Sequence, residues 1–184
     1  MRIQGPIAAV IPGGLLRMFG LGVLIIGDSG IGKSESALEL IARGHRFVSD
    51  DAVRVEKAAS GRLIAKAPSV SRFFMEIRGL GIINIKEIFG LKSISPRAPI
   101  DLVIRLKKWS RKKEYDRLGL RFPEDFVILG ERVPQLNIPV APGRNIATLI
   151  EVACKVHILR KRGYQAPLKI ITRLERALSS GRNG

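Results

Sequence analysis

The chain is predicted to be an α/β domain built on a mixed sheet, and three features carry that expectation. Residues 22–26 (GVLII) form a short β-branched run, a glycine-rich loop follows, and residues 34–42 then repeat apolar side chains at helical spacing. Residues 52–56 and 62–67 read as two strands joined by a turn at Ser60-Gly61, a hairpin. A strand–loop–helix unit favours parallel pairing and a hairpin requires antiparallel pairing, so both kinds of ladder are expected together. A length of 184 residues with 46% hydrophobic content is enough for one domain, spanning 1–184, with a real core.

The N-terminal stretch, residues 5–26, is largely apolar, but Pro6, Pro12, Gly13, Gly14, Arg17, Gly20 and Gly22 interrupt it. A membrane-spanning helix needs about 20 consecutive apolar residues, and a signal peptide needs an unbroken apolar core. The stretch is therefore expected to hold a strand or two joined by Gly and Pro turns, with no membrane segment and a cytoplasmic location. In the first helix Ala37, Leu40 and Ile41 share a face, and Gly44 stands where a helix-ending glycine belongs. Residues 46–49 form the next strand, which stops at Asp50 and Asp51. Residues 100–106 and 126–129 read as further strands. Residues 145–159 form the clearest helix, with Ile146, Leu149, Ile150, Ala153 and Val156 in register. Gly163 ends it, and Arg160, Lys161 and Arg162 complement the negative end of its dipole. Residues 167–178 form a last helix.

Cys154 is the only cysteine, which excludes an intramolecular disulfide and a cysteine metal cluster and fits a reducing compartment. Against 32 Lys and Arg stand 16 Asp and Glu, a net charge of +16. That excess points to an acidic partner: nucleic acid, an anionic membrane surface, phosphate groups or an acidic protein. Arg105, Lys107, Lys108, Arg111, Lys112 and Lys113 cluster around Trp109. Phosphate contacts with stacking would bind nucleic acid there. With no nucleic-acid-binding motif beside it, the cluster reads as a solvated basic loop. Steering of an acidic protein or of phosphate ligands is the third option.

The strongest chemical signal is Gly27, Asp28, Ser29, Gly30, Ile31, Gly32, Lys33 and Ser34, a full match to G-x-x-x-x-G-K-[ST]. The glycines let backbone N–H groups turn inward around phosphate oxygens. Lys33 would reach the β- and γ-phosphates, and the Ser34 hydroxyl would ligate Mg²⁺. A strand before the motif and a helix after it supply the context the motif needs. Asp50 and Asp51 end a strand that starts just after this helix, so they are expected near the loop if the strand returns beside the first one. Two carboxylates there would hold Mg²⁺ or take a proton from an attacking hydroxyl. Met75 to Asn84 reads MEIRGLGIIN. Glu76 and Arg78 share a face if it is extended, and spacing alone describes a strand with a bulge and a surface ion pair.

Taken together these segments closely resemble the catalytic domain of bacterial HPr kinase/phosphorylase. The matching residues are the loop from Gly27 to Ser34 with Glu35, Arg43-Gly44-His45-Arg46 leading to Asp50-Asp51, and Glu76-Ile77-Arg78-Gly79-Leu80-Gly81-Ile82-Ile83. Tyr115-Asp116-Arg117-Leu118-Gly119 and Pro139-Val140 with Gly143-Arg144-Asn145 continue the series in family order. The resemblance implies a fold like the nucleotide-binding core of phosphoenolpyruvate carboxykinase and a homo-hexamer. It implies a protein-serine kinase acting on HPr, a phosphocarrier of the sugar phosphotransferase system, with ATP or pyrophosphate, and possible phosphorolysis in reverse. On the matching positions Asp51 would be the proton acceptor in the kinase direction and the proton donor in reverse, supported by Asp50. Ser34 and Glu76 would hold Mg²⁺, and Lys33 and Arg117 would stabilise the transferring phosphoryl group. Residues 75–84 would form the family's catalytic signature, and residues 138–143 the segment tied to dephosphorylation.

The resemblance also marks departures. Pro12 stands where the family has a histidine, Ala141 stands where it often has lysine, and the family's usual N-terminal domain is not expected in this chain. His45 falls within the matching Arg-Gly-His-Arg, while His157 on the long helix reads as structural or solvated. Two other functions stay open on the residues: a diverged phosphate-loop kinase for another protein or a small molecule, and a non-catalytic nucleotide- or nucleic-acid-binding module.

Overall fold

The computed structural model describes residues 8–110 and 123–180. Strands β1 (Ala8–Pro12), β2 (Gly14–Met18) and β3 (Leu21–Ile26) come first, then helix α1 (Lys33–Ala42) and strand β4 (Arg46–Ser49). Two hairpins follow, β5 (Ala52–Lys57) with β6 (Leu63–Lys66) and β7 (Phe74–Ile77) with β8 (Gly81–Asn84), the second leading into the short helix α2 (Ile85–Phe89). After β9 (Ala98–Pro99) and β10 (Leu102–Lys108) come β11 (Phe126–Ile128), β12 (Glu131–Val133) and β13 (Gln135–Val140). Helices α3 (Ile146–Lys161) and α4 (Ala166–Ser180) close the described chain.

The central sheet has five strands in the order β13-β10-β3-β2-β4. Strands β13, β10 and β3 are parallel, while β2 runs antiparallel to both β3 and β4. The sheet is therefore mixed, as the combination of a crossover unit and hairpins predicts. A second, four-stranded antiparallel sheet, β1-β5-β6-β9, lies behind it.

Alternation along the strands builds the layers. Leu16, Val23, Ile25, Ile104 and Leu106 join Ala37, Leu40 and Ile41 of α1 and Ile146, Ile150 and Cys154 of α3 in one core. Leu15, Leu24, Ile26 and Val103 turn the other way and join Val53, Val55, Leu63 and Ala65 of the second sheet. The central sheet is buried on both faces, which is why β3 reads in sequence as an unbroken apolar run. Helix ends follow local signals. At the end of α1, His45 N donates to Leu40 O (3.1 Å) and Gly44 N to Ile41 O (2.9 Å), a Schellman closure on a left-handed glycine.

Two expectations are corrected. The strand after α1 does not return beside β3; β2 lies between them and pairs with β4 instead. Because β2 reverses direction twice over, β4 still runs parallel to β3. The ends of β3, β4, β10 and β13 thus face one edge of the sheet, the edge where ligands bind in open α/β sheets. The segment from Met75 to Asn84 is a two-stranded hairpin, not a bulged strand.

Gly22 fixes how the two sheets meet. Its N–H donates to Asp101 Oδ2 (2.8 Å) and its carbonyl accepts from Asp101 N (2.9 Å). A Cβ on Gly22 would stand 1.6 Å from Pro99 O, inside backbone. Gly22→Ala is therefore expected to lower stability by about 3 kcal/mol, the upper range for overpacking a core. A urea unfolding midpoint unchanged from wild type would contradict this account of the sheet junction.

Candidate active site

The loop from Gly27 to Ser34 joins β3 to α1 at the sheet's carboxyl edge. Gly27 passes so close to β10 that a Cβ would meet Leu106 O at 2.7 Å. Ile31 N donates to Asp28 O (3.3 Å), tightening the turn, and Gly32 caps α1 in a left-handed conformation. The positive end of the α1 dipole and the free N–H groups of its first turn point at the same spot. Lys33 Nζ donates to Gly27 O (3.0 Å) and Asp28 O (2.9 Å), folded over the loop where phosphate oxygens would take those bonds.

Ser34 Oγ donates to Asp50 Oδ2 at 3.0 Å, with Oδ1 at 3.3 Å. This bond brings together the motif and the aspartate pair, which are 16 residues apart in sequence. Asp50 is only 4% exposed. Burial, reinforced by the neighbouring Asp51 charge, pushes its carboxyl up to about 6, against the opposing pull of the Ser34 hydroxyl and Lys33. Asp51 is exposed and sits at φ 60°, a left-handed conformation rare outside glycine. The turn around it holds it there. Gly13 N donates to Asp51 O (3.0 Å), Ala52 N to Asp50 O (2.7 Å) and Ser49 Oγ to Ala52 O (2.6 Å). Of the two carboxylates, one is buried against Ser34 and the other is open to an incoming group. Pro12 pairs with Ala52 in the β1–β5 ladder, so the position that departs from the family lies beside Asp51.

The β7–β8 hairpin supplies the opposite wall. Met75 and Ile77 are buried in the core that holds α1, and Glu76 between them is exposed on the other face. Arg78 follows β7 and reaches the phosphate loop: its Nη2 is 3.6 Å from where a Cβ on Gly30 would be. Among the described residues Glu76 and Arg78 form no ion pair with each other, so the surface-pair expectation does not hold. Arg78 is the site residue that spacing alone missed. Its signal was the glycine pair flanking Leu80, which turns the hairpin and leaves Arg78 at its rim. Arg117, with Tyr115 to Gly119 and Arg111 to Lys113, lies outside the described residues.

The donors present fit a hard divalent ion. Ser34 Oγ and the Asp50 carboxylate are oxygen ligands side by side, the kind Mg²⁺ prefers. Among the described residues no group of three or more His, Cys, Asp or Glu is arranged to hold a metal unaided.

With this geometry in place the comparisons are informative. Residues 7–174 match the family described as HPr Serine kinase C-terminal domain. This chain belongs to that family. An HPr kinase/phosphorylase from Lachnoclostridium phytofermentans is 49% identical over 165 residues, covering 89% of this chain and 53% of the relative. One from Geobacter sulfurreducens is 48% identical over 169 residues, covering 90% of this chain and 53% of the relative. The chain spans about half the length of the curated relatives it matches. The structure of the Hpr(Ser) kinase/phosphatase from Coxiella burnetii superimposes with a TM-score of 0.77 at 35% identity, covering 88% of this chain and 98% of that one. An HPr kinase C-terminal domain thus accounts for the α/β fold and the mixed sheet together.

A raised Asp50 has a consequence for folding. The native carboxyl binds its proton up to a pH of about 6, while the unfolded one releases it near 3.8. Between those values the native state holds more protons, so stability falls as pH rises and levels off above about 6. Asp50→Asn keeps an acceptor for Ser34 and removes the buried charge. It is expected to be more stable than wild type at pH 8, by on the order of 2 kcal/mol, and to lose that advantage near pH 4. Thermal midpoints of both proteins at the two pH values check this; equal midpoints at pH 8 would overturn the assignment of Asp50 as a buried, strained carboxylate.

Proposed function

We propose that this domain phosphorylates a serine hydroxyl of an HPr-type phosphocarrier with ATP, acting as a protein-serine kinase. The observation that carries the reading is the junction at Ser34, Asp50 and Asp51, where a phosphate loop meets one buried and one open carboxylate. Its membership of the HPr serine kinase family and its likeness to curated HPr kinase/phosphorylases support the choice of acceptor.

The chemistry follows from positions. The loop N–H groups and the α1 dipole cradle the β- and γ-phosphates, and Lys33 exchanges its two carbonyl partners for phosphate oxygens. Arg78 lies over Gly30 on the same side and adds positive charge next to the transferring group. Arg117 supplies a further cation by resemblance. Ser34, Asp50 and Glu76 would hold Mg²⁺, which when bound neutralises phosphate charge. The exposed Asp51 accepts the proton as the serine oxygen forms its bond to the γ-phosphorus and the bond to the ADP oxygen breaks. Asp50 stays against Ser34 and orients the pair.

The position of Pro12 bears on the reverse direction. A histidine there would place a titratable ring beside Asp51; proline offers no proton and no donor. The sequence keeps the residues assigned to the kinase direction, and in phosphorolysis Asp51, once protonated, would return its proton to the serine oxygen; what Pro12 removes is a second titratable group beside it. A homo-hexamer in the cytoplasm is the assembly and compartment that the resemblance supports. No helix among the described residues is long and apolar enough to cross a membrane.

Incubation with ATP, Mg²⁺ and HPr is expected to label HPr on serine. Asp51→Asn is expected to lower kcat by at least about 100-fold, the lower end for loss of a general base, while ATP affinity stays within about threefold. ATP consumption with a different acceptor and none with HPr-type carriers would replace the proposed substrate with that of a diverged kinase. An Asp51→Asn enzyme with wild-type kcat would remove Asp51 from the base role.

A further inference from the structure

A side-chain network away from the phosphates ties α1 to α3. Glu39 and Arg43, one turn apart on α1, pair with each other. Arg43 Nη1 donates to Glu151 Oε2 of α3 at 2.6 Å, and Glu151 Oε1 lies 2.8 Å from His45 Nε2. Asn145 caps α3: its Oδ1 accepts from Thr148 N at 2.7 Å, and from Arg43 Nη2 at 3.4 Å. Its Nδ2 donates to Glu39 Oε1 at 2.9 Å. That amide is the foremost influence holding the Glu39 carboxyl below its usual range.

Capping does not require this last bond. Serine or aspartate caps a helix as well as asparagine does, through an oxygen alone. What asparagine adds is the Nδ2 donor, and here the donor is spent on the helix that begins at the phosphate loop.

The loop held by this clamp is residues 141–144, which leave the carboxyl end of β13 and enter α3 at Asn145. At its start the ladder holds it: Trp109 N donates to Val140 O (2.9 Å) and Arg144 Nη1 reaches back to Pro139 O (2.6 Å). Strand β13 is two places from β3 in the parallel part of the sheet. At about 4.8 Å per strand, the 141–144 loop therefore stands roughly 10 Å from Gly27 on the same edge. The clamp is a side-chain link, among the described residues, between the helix that follows one edge segment and the helix that follows the other.

We propose that Glu39, Arg43 and Asn145 are positioning residues that lock the 141–144 loop to the phosphate-loop helix, so that phosphates and loop keep one separation during phosphoryl transfer. This rests on the kinase reading above. Displacement of a positioned group by about 1 Å can cost on the order of 100-fold in rate, so a partial release of the clamp should show in kcat before it shows in binding.

The test uses the whole chain with ATP, Mg²⁺ and HPr. The variants are Glu39→Ala, Glu39→Gln, Asn145→Ser, and Glu39→Ala combined with Asn145→Ser. Asn145→Ser keeps the helix cap and removes the amide donor together with the long contact to Arg43. Glu39→Ala and Asn145→Ser are each expected to lower kcat about tenfold with KM for ATP changed less than about twofold, and the double variant is expected to be no worse than the poorer single. Glu39→Gln, which keeps an oxygen for Asn145, should recover most of the rate. Single variants with wild-type kcat, losses that multiply in the double variant, or no recovery with glutamine would each overturn the clamp. If wild type labels no acceptor, the kinase reading fails and the clamp is judged on Trp109, the only tryptophan. Its emission without nucleotide should move to longer wavelength in Glu39→Ala if the loop is released, and an unchanged spectrum overturns the proposal.

Discussion

The bond from Ser34 to Asp50 is the contact around which the domain is arranged. It joins the first turn of α1 to the end of β4, and so makes one site from two segments that the chain builds separately. For it to form, β4 must end level with the phosphate loop, and it does so because β2, lying between β3 and β4, is antiparallel to both and leaves them parallel. It also requires a carboxylate to be buried against its own interest. The protein meets that requirement with a hydroxyl donor and the nearby Lys33, and leaves the remaining penalty in place as a raised proton affinity. A strained group at an otherwise well-packed edge is what a functional site looks like energetically, since stability alone would have removed it.

Rigidity around that contact comes from burial on both faces of the sheet. Leu24 and Ile26 are packed toward the antiparallel sheet and Val23 and Ile25 toward the helices, so β3 cannot shift without disturbing two cores. The loop that follows inherits this fixity. Asp51 is held in its left-handed turn by Gly13 and by the hydroxyl of Ser49, and Gly13 belongs to the link between the two sheets. The open carboxylate is thus positioned by the sheet junction, and the buried one by the helix.

Much of this was legible in the residues. Helix α1, strand β3, the β5–β6 hairpin and the start of α3 at Asn145 all carry local signals: an apolar period, a turn dipeptide, a capping side chain, a helix-ending glycine. The phosphate loop was legible for the same reason, because its function depends on backbone conformation encoded within eight consecutive residues. What sequence did not disclose was long-range pairing. β4 pairs with β2 and not with β3 because β3 is already flanked by β10 and β2, and no spacing within β4 encodes that. The approach of Arg78 to the phosphate loop was hidden likewise. It approaches Gly30 only because Met75 and Ile77 seat the hairpin against α1, a packing outcome and not a motif. The clamp between Glu39 and Asn145 spans 106 residues and could not have been read from either end.

The large positive charge takes on a more definite meaning beside the site. Among the described residues Glu39, Glu56, Glu87, Glu131, Glu151 and Asp101 are each engaged by a cationic side chain. Asp50 and Asp51 make no ion pair there; one is matched by a hydroxyl and the other faces outward. The carboxylates that stabilise the fold are therefore neutralised locally, and the surplus of Lys and Arg is left to set the outer field. A field of that sign raises the local concentration of polyanions such as nucleotides and favours encounter with acidic protein surfaces, with a dependence on ionic strength that specific contacts alone do not show. Within such a field the aspartate pair stands beside the phosphate loop, where the proposed reaction would have a proton received.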